Sequence, residues 1–206
     1  LIETAAGELP IEEISIGDRV RTNSGRLETV RWIGRRSYSR RFAIGNPGVL
    51  PICIRPGALA EGLPRRDLFV SPHHGLLING VLVAAGALVN GRTIIQLLDM
   101  DPVEYLHIEL DRHAIILAEG TPAETFLAEQ GRAQFQNAAE HDQLYPDMPP
   151  RLMQPCAVRL GPGLALDLVR NQIAARAECL STMRRGVASN RKTIRQRPAE
   201  PVLDIQ

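Results

Sequence analysis

The sequence predicts an all-β domain, and three observations carry that expectation. Glycine and proline interrupt the first 125 residues at short intervals. The runs between them are short and rich in Val, Ile and Leu, the pattern of many strands joined by turns. Asn79-Gly80 stands between two such runs as a two-residue hairpin signal, because Asn and Gly both tolerate positive φ.

In chain order, the strand-like runs are 19–22, 29–33, 49–54, 68–70, 75–78, 81–84, 92–97, 105–110 and 114–118. Asn23-Ser24-Gly25 and Asn90-Gly91 mark further turns. Residues 12–15 fit a single helical turn ahead of the strand at Arg19. Residues 124–140 contain few β-branched side chains and read as helical or irregular, and 145–155 is a proline-rich linker. Leu164, Leu168, Ile173 and Ala177 approximate helical spacing behind the boundary Gly161-Pro162-Gly163. From Ser181 the chain turns polar and basic, so poor order is expected there. The expected division is 1–130 as the β domain, 131–180 as a partly helical extension and 181–206 as a basic, disordered tail.

Aromatic residues make up only 4% of the chain, so the core has to be built mainly from aliphatic side chains. A net charge of +1 argues against a bulk electrostatic role on nucleic acid or an anionic membrane. The basic stretch 35–42 mixes arginines with aromatics, and is read as a solvated loop or an edge-strand guard. No apolar run is long enough to span a bilayer. Cys53, Cys156 and Cys179 form no CxxC or CxxH pair, which disfavours structural zinc, and Cys53 reads as a small buried hydrophobe. Leu1 is not an initiator methionine, so the chain is expected to be cut from something longer, and a missing signal peptide says nothing about compartment.

Candidate chemistry concentrates in Val70-Ser71-Pro72-His73-His74-Gly75. Pro72 fixes its own φ and biases Ser71 away from the helical region, giving a stiff turn that holds a hydroxyl and an imidazole near each other. That suits acid–base or acyl-transfer chemistry. His107 lies in a strand-like run and His113 just past it, so His74, His107 and His113 are the set that would have to converge in a metal-dependent hydrolase. The spacing favours acid–base use over metal binding. Ser71 as a hydrolase nucleophile is a weaker reading, because the G-x-S-x-G elbow and the alternating βα pattern are both missing.

Together these residues resemble the Hedgehog/intein (Hint) family, in its bacterial branch. Leu1-Ile2-Glu3-Thr4, then Gly7, Glu8, Ile11, Glu12, Ile14, Gly17-Asp18 and Val20, resemble the family's opening. Trp32-Ile33-Gly34-Arg35-Arg36 resembles this branch, and Ser71-Pro72-His73-His74 resembles the T/S-x-x-H motif. Tyr105-Leu106-His107 through His113 to Ala118-Glu119-Gly120 resembles the closing strand pair, and the likeness continues weakly through Cys156-Ala157 and residues 174–177.

The resemblance implies a compact, horseshoe-like β fold that acts on its own N-terminal flanking polypeptide. In the family, a cysteine at the first position attacks the preceding carbonyl, and the N-to-S acyl shift makes a thioester. The resemblance gives His74 the role of protonating the departing amine, Ser71 that of orienting or polarising the scissile amide and His113 support for a later step or for the closing strand. It calls for no cofactor, no metal, no nucleic acid and no membrane span. Family habit suggests secretion or the surface of a bacterium. The cysteine is expected a few residues before Leu1, in a stretch like Cys-Phe-x-x-Gly-Thr. Splicing members end in His-Asn, and here those positions are Glu124 and Thr125, so self-cleavage without splicing is expected. A non-catalytic Hint-like binding or structural module is the alternative.

Overall fold

The computed structural model describes residues 1–98, 100, 102–127, 131–147, 153–187 and 202–203. β1 (Ile2–Thr4) and β2 (Gly7–Leu9) make a short hairpin, followed by a 3-10 turn at Ile11–Glu13. β3 (Arg19–Arg21) and β4 (Leu27–Thr29) come next, joined through Gly25 at φ 82°. β5 (Trp32–Tyr38) leads into the single turn α1 (Arg40–Ala43), then β6 (Ile52–Ile54) and β7 (Leu68–Val70). β8 (Gly75–Ile78) and β9 (Val81–Ala84) form the expected hairpin, with Asn79 at φ 52° and Gly80 at φ 82°. β10 (Ile94–Gln96), β11 (Val103–Glu109), β12 (Ile115–Ala118) and β13 (Thr121–Glu124) complete the main strands. α2 (Ala138–Leu144), α3 (Leu164–Val187) and a two-residue strand β14 (Val202–Leu203) follow.

The fold is mostly β, built from two sheets. One runs β4-β3-β1-β12-β13-β8-β9, with β2 attached to β1. The other runs β10-β6-β7-β14-β11-β5. Every strand pair is antiparallel except those of β14, which lies parallel to β11 and to β7. Val20, Leu76 and Ile116 from the first sheet share one core with Ile54, Val70 and Ile108 from the second. The aliphatic composition supplies most of that core, as the sequence suggests.

Three of the scarce aromatics meet in this core, while Tyr38, Phe69 and Tyr105 belong to a second, smaller cluster. Trp32, Phe126 and Phe135 meet edge-on or tilted, with centroids 5.0 to 6.2 Å apart. Opposite His107 in the β5–β11 register stands Gly34, and a Cβ there would come within 2.7 Å of the Phe135 ring. Glycine lets the ring lie against the strand backbone. Arg132 donates twice to the buried Glu109 carboxylate, at 2.8 and 2.5 Å, and so fixes the 3-10 turn Arg132–Gln134 beside the cluster. Among the described residues β5 lies at the edge of its sheet, and the basic stretch divides between β5 and α1. Residues 136–137 cover part of that edge, through Gln136 N to Arg35 O and Asn137 Nδ2 to Ile33 O.

Helix α3 differs in phase from the expected spacing. Leu166, Val169, Ile173 and Ala177 are buried, whereas Leu164 and Leu168 are exposed. The buried set steps by three and four residues, which keeps one stripe on a 3.6-residue helix; Leu164 and Leu168 fall off it. The helix also continues ten residues beyond Ala177. Of the linker expected at 145–155, residues 148–152 lie outside the described residues, as do 188–201 and 204–206 of the tail. Among the described residues no helix is long and apolar enough to cross a membrane.

Candidate functional site

The turn between β7 and β8 carries Ser71-Pro72-His73-His74. His74 N donates to Ser71 O at 3.2 Å, closing the bend. The segment after β9 clamps it from outside: Ala85 N donates to His74 O at 2.9 Å and Gly86 N to Pro72 O at 2.8 Å. His74 is fully buried and Ser71 nearly so. Ser71 Oγ is enclosed, and among the described residues no hydrogen-bond partner reaches it. Ser71 also lines a cavity of about 240 Å³ with Arg36, Tyr38, Tyr105 and Gln134.

The second component is the β12–β13 hairpin. Its turn is Glu119-Gly120, both with positive φ. Its open end holds His113, Glu124 and Thr125, and the ends are tied by Ala114 N to Thr125 Oγ1 at 3.0 Å and Thr125 N to Ala114 O at 2.8 Å. β13 pairs with β8 through Ala123 and Leu76, so Glu124 arrives directly against Gly75, the residue after His74. Gly75 N donates to Glu124 Oε1 at 2.7 Å, and a Cβ at Gly75 would lie 2.6 Å from that oxygen. Only glycine admits the carboxylate there.

Glu124 is surrounded by cationic groups. Arg159 Nη2 donates to its Oε1, and His113 Nε2 lies 3.3 Å from its Oε2. Burial alone would raise the Glu124 carboxyl, but His113, His74 and Arg159 together outweigh it and hold the pKa below the ordinary value. Burial would likewise lower His113, but Cys156 and Glu124 carry it up to about 9. The other ring nitrogen, His113 Nδ1, accepts from Cys156 N at 3.0 Å. Arg159 Nη1 also donates to His73 O at 3.1 Å. Backbone bonds Leu82 N to Val158 O and Leu160 N to Leu82 O hold this stretch against β9.

The structure therefore sets His113 against one buried carboxylate and places His74 one residue from the Gly75 that donates to it, with Ser71 in the same bend as His74. Such a carboxylate can orient an imidazole and stabilise its cation, which is what a general acid needs. His107 is elsewhere, in the second sheet, edge-on to Phe135 at 4.5 Å and to Phe126 at 6.0 Å. The three-histidine convergence that a metal-dependent hydrolase requires is not formed: among the described residues no group of three or more His, Cys, Asp or Glu could hold a metal ion. Cys53 is buried, and burial pushes its thiol up to about 11. Leu1 sits at the turn end of the hairpin, where its nitrogen donates to Glu119 Oε1 and Glu119 N donates to Leu1 O at 2.8 Å.

Sequence reasoning noted Glu124 only as a departure from His-Asn, and did not find Arg159 or the contact of Cys156 with His113. The signal available was the short likeness at Cys156-Ala157, three residues from Arg159.

No curated protein matches the chain. Among solved structures, the MchDnaB-1 intein is similar at 12% identity and a TM-score of 0.41, over 59% of this chain and 93% of that one. A variant of the same intein gives 12% identity and a TM-score of 0.42, over 60% and 94%. The family model described as "Hint domain" matches residues 1–130, which is more than half of the sequence, so this chain belongs to the Hint domain family, the fold of autoprocessing and splicing domains.

Proposed function

We propose that the domain cleaves the peptide bond at its own N-terminal junction, through an N-to-S acyl shift at a cysteine upstream of Leu1, and does not splice. The observation that carries this reading is the buried His74, one residue from the Gly75 N–H that donates to a carboxylate held in its charged form. The upstream thiol attacks the preceding carbonyl. Ser71 polarises that carbonyl, and His74 protonates the amine as the C–N bond breaks. Glu124 and Thr125 offer no side-chain amide to cyclise, so the thioester ends by attack from another nucleophile.

Leu1 is at the Glu119 end of the hairpin and Glu124 at the other, about 15 Å away at strand spacing. β1 is antiparallel to β12, so the chain before Leu1 leaves at the turn end and has to double back along the hairpin to meet His74. The partner is the flanking polypeptide itself, and the 1–130 unit acts with residues 153–160 packed against it.

The test is expression of the chain with its natural upstream residues, followed on gels for release of an N-terminal fragment, with hydroxylamine to hasten it. His74→Ala should slow release by ~10²- to 10⁴-fold. Unchanged cleavage in that variant removes the assigned role. One observation favours a second reading, a non-catalytic binding or structural module: Glu124 is already met by Gly75 and Arg159 at one oxygen and by His113 at the other. A chain with its upstream cysteine that stays intact in hydroxylamine would select that reading.

A further inference from the structure

The second sheet is joined at its middle by two residues. β14 stands between β7 and β11, with Leu203 opposite Val70 on one side and with Val202 and Leu203 opposite Tyr105 and Leu106 on the other. β6 takes the other edge of β7, and β5 takes the other edge of β11. Among the described residues, β14 is therefore what pairs these two inner edges. It pairs them in the parallel sense, which is slightly weaker per residue than the antiparallel sense of the other strand pairs. Three register positions also make few main-chain bonds, each worth little net.

Val70 is followed directly by Ser71, so whatever occupies this slot lies against the bend that carries Ser71 and His74. The other end of β7 lies by the first residue of the chain. Arg65 N donates to Glu119 O at 2.9 Å, and Glu119 N donates to Leu1 O at 2.8 Å. The Glu119 carboxylate also accepts from Arg66 Nε and from Leu1 N. The polypeptide before Leu1 thus sets out from the foot of β7, and the function proposed above requires it to reach the bend at the top. A segment on that path can pair with β7 only along the edge that β6 leaves, which is the edge β14 holds. Running toward Leu1, it would be antiparallel to both β7 and β11, the more favourable sense.

We propose that the slot between β7 and β11 is a strand-docking surface for the polypeptide upstream of Leu1, and that β14 competes for it and holds the junction away from Ser71 and His74. The identity of the rival rests on the function proposed above; the exchange of β14 does not. Main-chain pairing accepts any extended segment, so either strand can fill the slot. The fraction of chains able to cleave is then the fraction whose slot is free of β14.

The experiment has three arms. In the first, amide hydrogen exchange is followed by mass spectrometry on the unaltered 206-residue chain. Residues 202–203 should exchange at least about 100-fold faster than β8, because opening the slot leaves the core intact. Exchange at the rate of β8 would make β14 a fixed strand and overturn the proposal without recourse to any variant. In the second arm, a fluorescein-labelled peptide of residues 198–206 is titrated against the unaltered chain and against Leu203→Pro, which lacks the ladder N–H. Leu203→Pro should bind the peptide at least about 10-fold more tightly, because in the unaltered chain a tethered copy competes at an effective concentration on the order of mM. Equal binding, or no binding to a Leu203→Pro chain with unchanged Trp32 emission, overturns the proposal. In the third arm, the chain carries its natural upstream residues. Leu203→Pro should cleave about 10-fold faster, and added 198–206 peptide should slow it. Cleavage at the unaltered rate overturns the competition. If no form cleaves while the peptide binds as expected, the junction reading fails and the exchangeable strand stands.

Discussion

His113 Nε2 and Glu124 Oε2 lie 3.3 Å apart, with both side chains almost completely shielded from water. A charged pair in such a place is costly to form and costly to break. Its partners, Arg159 and Cys156, arrive from a segment far along the chain.

The pair predicts an optimum of stability in mildly acidic solution. Glu124 is held below its ordinary 4.5, so its contribution is complete above that pH and is lost as pH falls through the folded value. His113 is raised from 6.5 to about 9, so its contribution is complete below 6.5 and is lost as pH rises through about 9. The alkaline loss is on the order of 3 kcal/mol. Urea midpoints measured from pH 3 to 10 should therefore peak between about 4.5 and 6.5, and His113→Gln should flatten the alkaline limb. A midpoint that is level from 6.5 to 9 in the unaltered protein contradicts the assignment.

Gly75→Ala is expected to destabilise the domain by about 1–3 kcal/mol, because the new methyl would press on a carboxylate that Gly75 N and Arg159 hold in place. The check is denaturant unfolding. A loss under about 0.5 kcal/mol would mean that the carboxylate can move aside at little cost.

Gly34→Ala should cost a similar ~1–3 kcal/mol for a different reason, since its Cβ would come 2.7 Å from Phe135 and 2.9 Å from Trp32. Trp32 is the chain's one tryptophan, so its fluorescence reports the repacking directly. An unshifted emission spectrum with unchanged stability would refute the close approach.

Arg159→Ala removes one of the groups that keep Glu124 charged. Its side chain is 39% exposed, so the expected loss is discounted to about 1–2 kcal/mol at neutral pH. The acid limb of the stability profile should also move to higher pH, because the Glu124 carboxyl rises. An acid limb that stays where it was would show that the guanidinium does not act on Glu124.

The aliphatic strands were legible because each carries its own signal: β7, β8 and β9 match the runs read from sequence. β13 was not, since Thr-Pro-Ala-Glu has almost no strand propensity and is extended only because β12 and β8 pair with it. The arginine half of β5 was hidden in the same way, being fixed by its register partners Val103, Glu104, Tyr105 and Leu106 on β11. At the candidate site, the bend with Ser71 and His74 could be read locally, since proline stiffness is a property of adjacent residues. The role of Glu124 could not. Its carboxylate is defined by Gly75, 49 residues before it, and by Arg159, 35 residues after it. Contacts of that separation leave no periodicity.

The backbone bonds between Leu82 and residues 158–160 set the minimum length of an independently folding fragment. A truncation at residue 130 would discard Arg159 and strip the covering chain from β9, leaving a bare strand edge and a carboxylate with only His113 and Gly75 N to meet it. Recombinant work on this domain is therefore best begun from fragments that run past Leu160, even though the recognisable family segment stops thirty residues earlier.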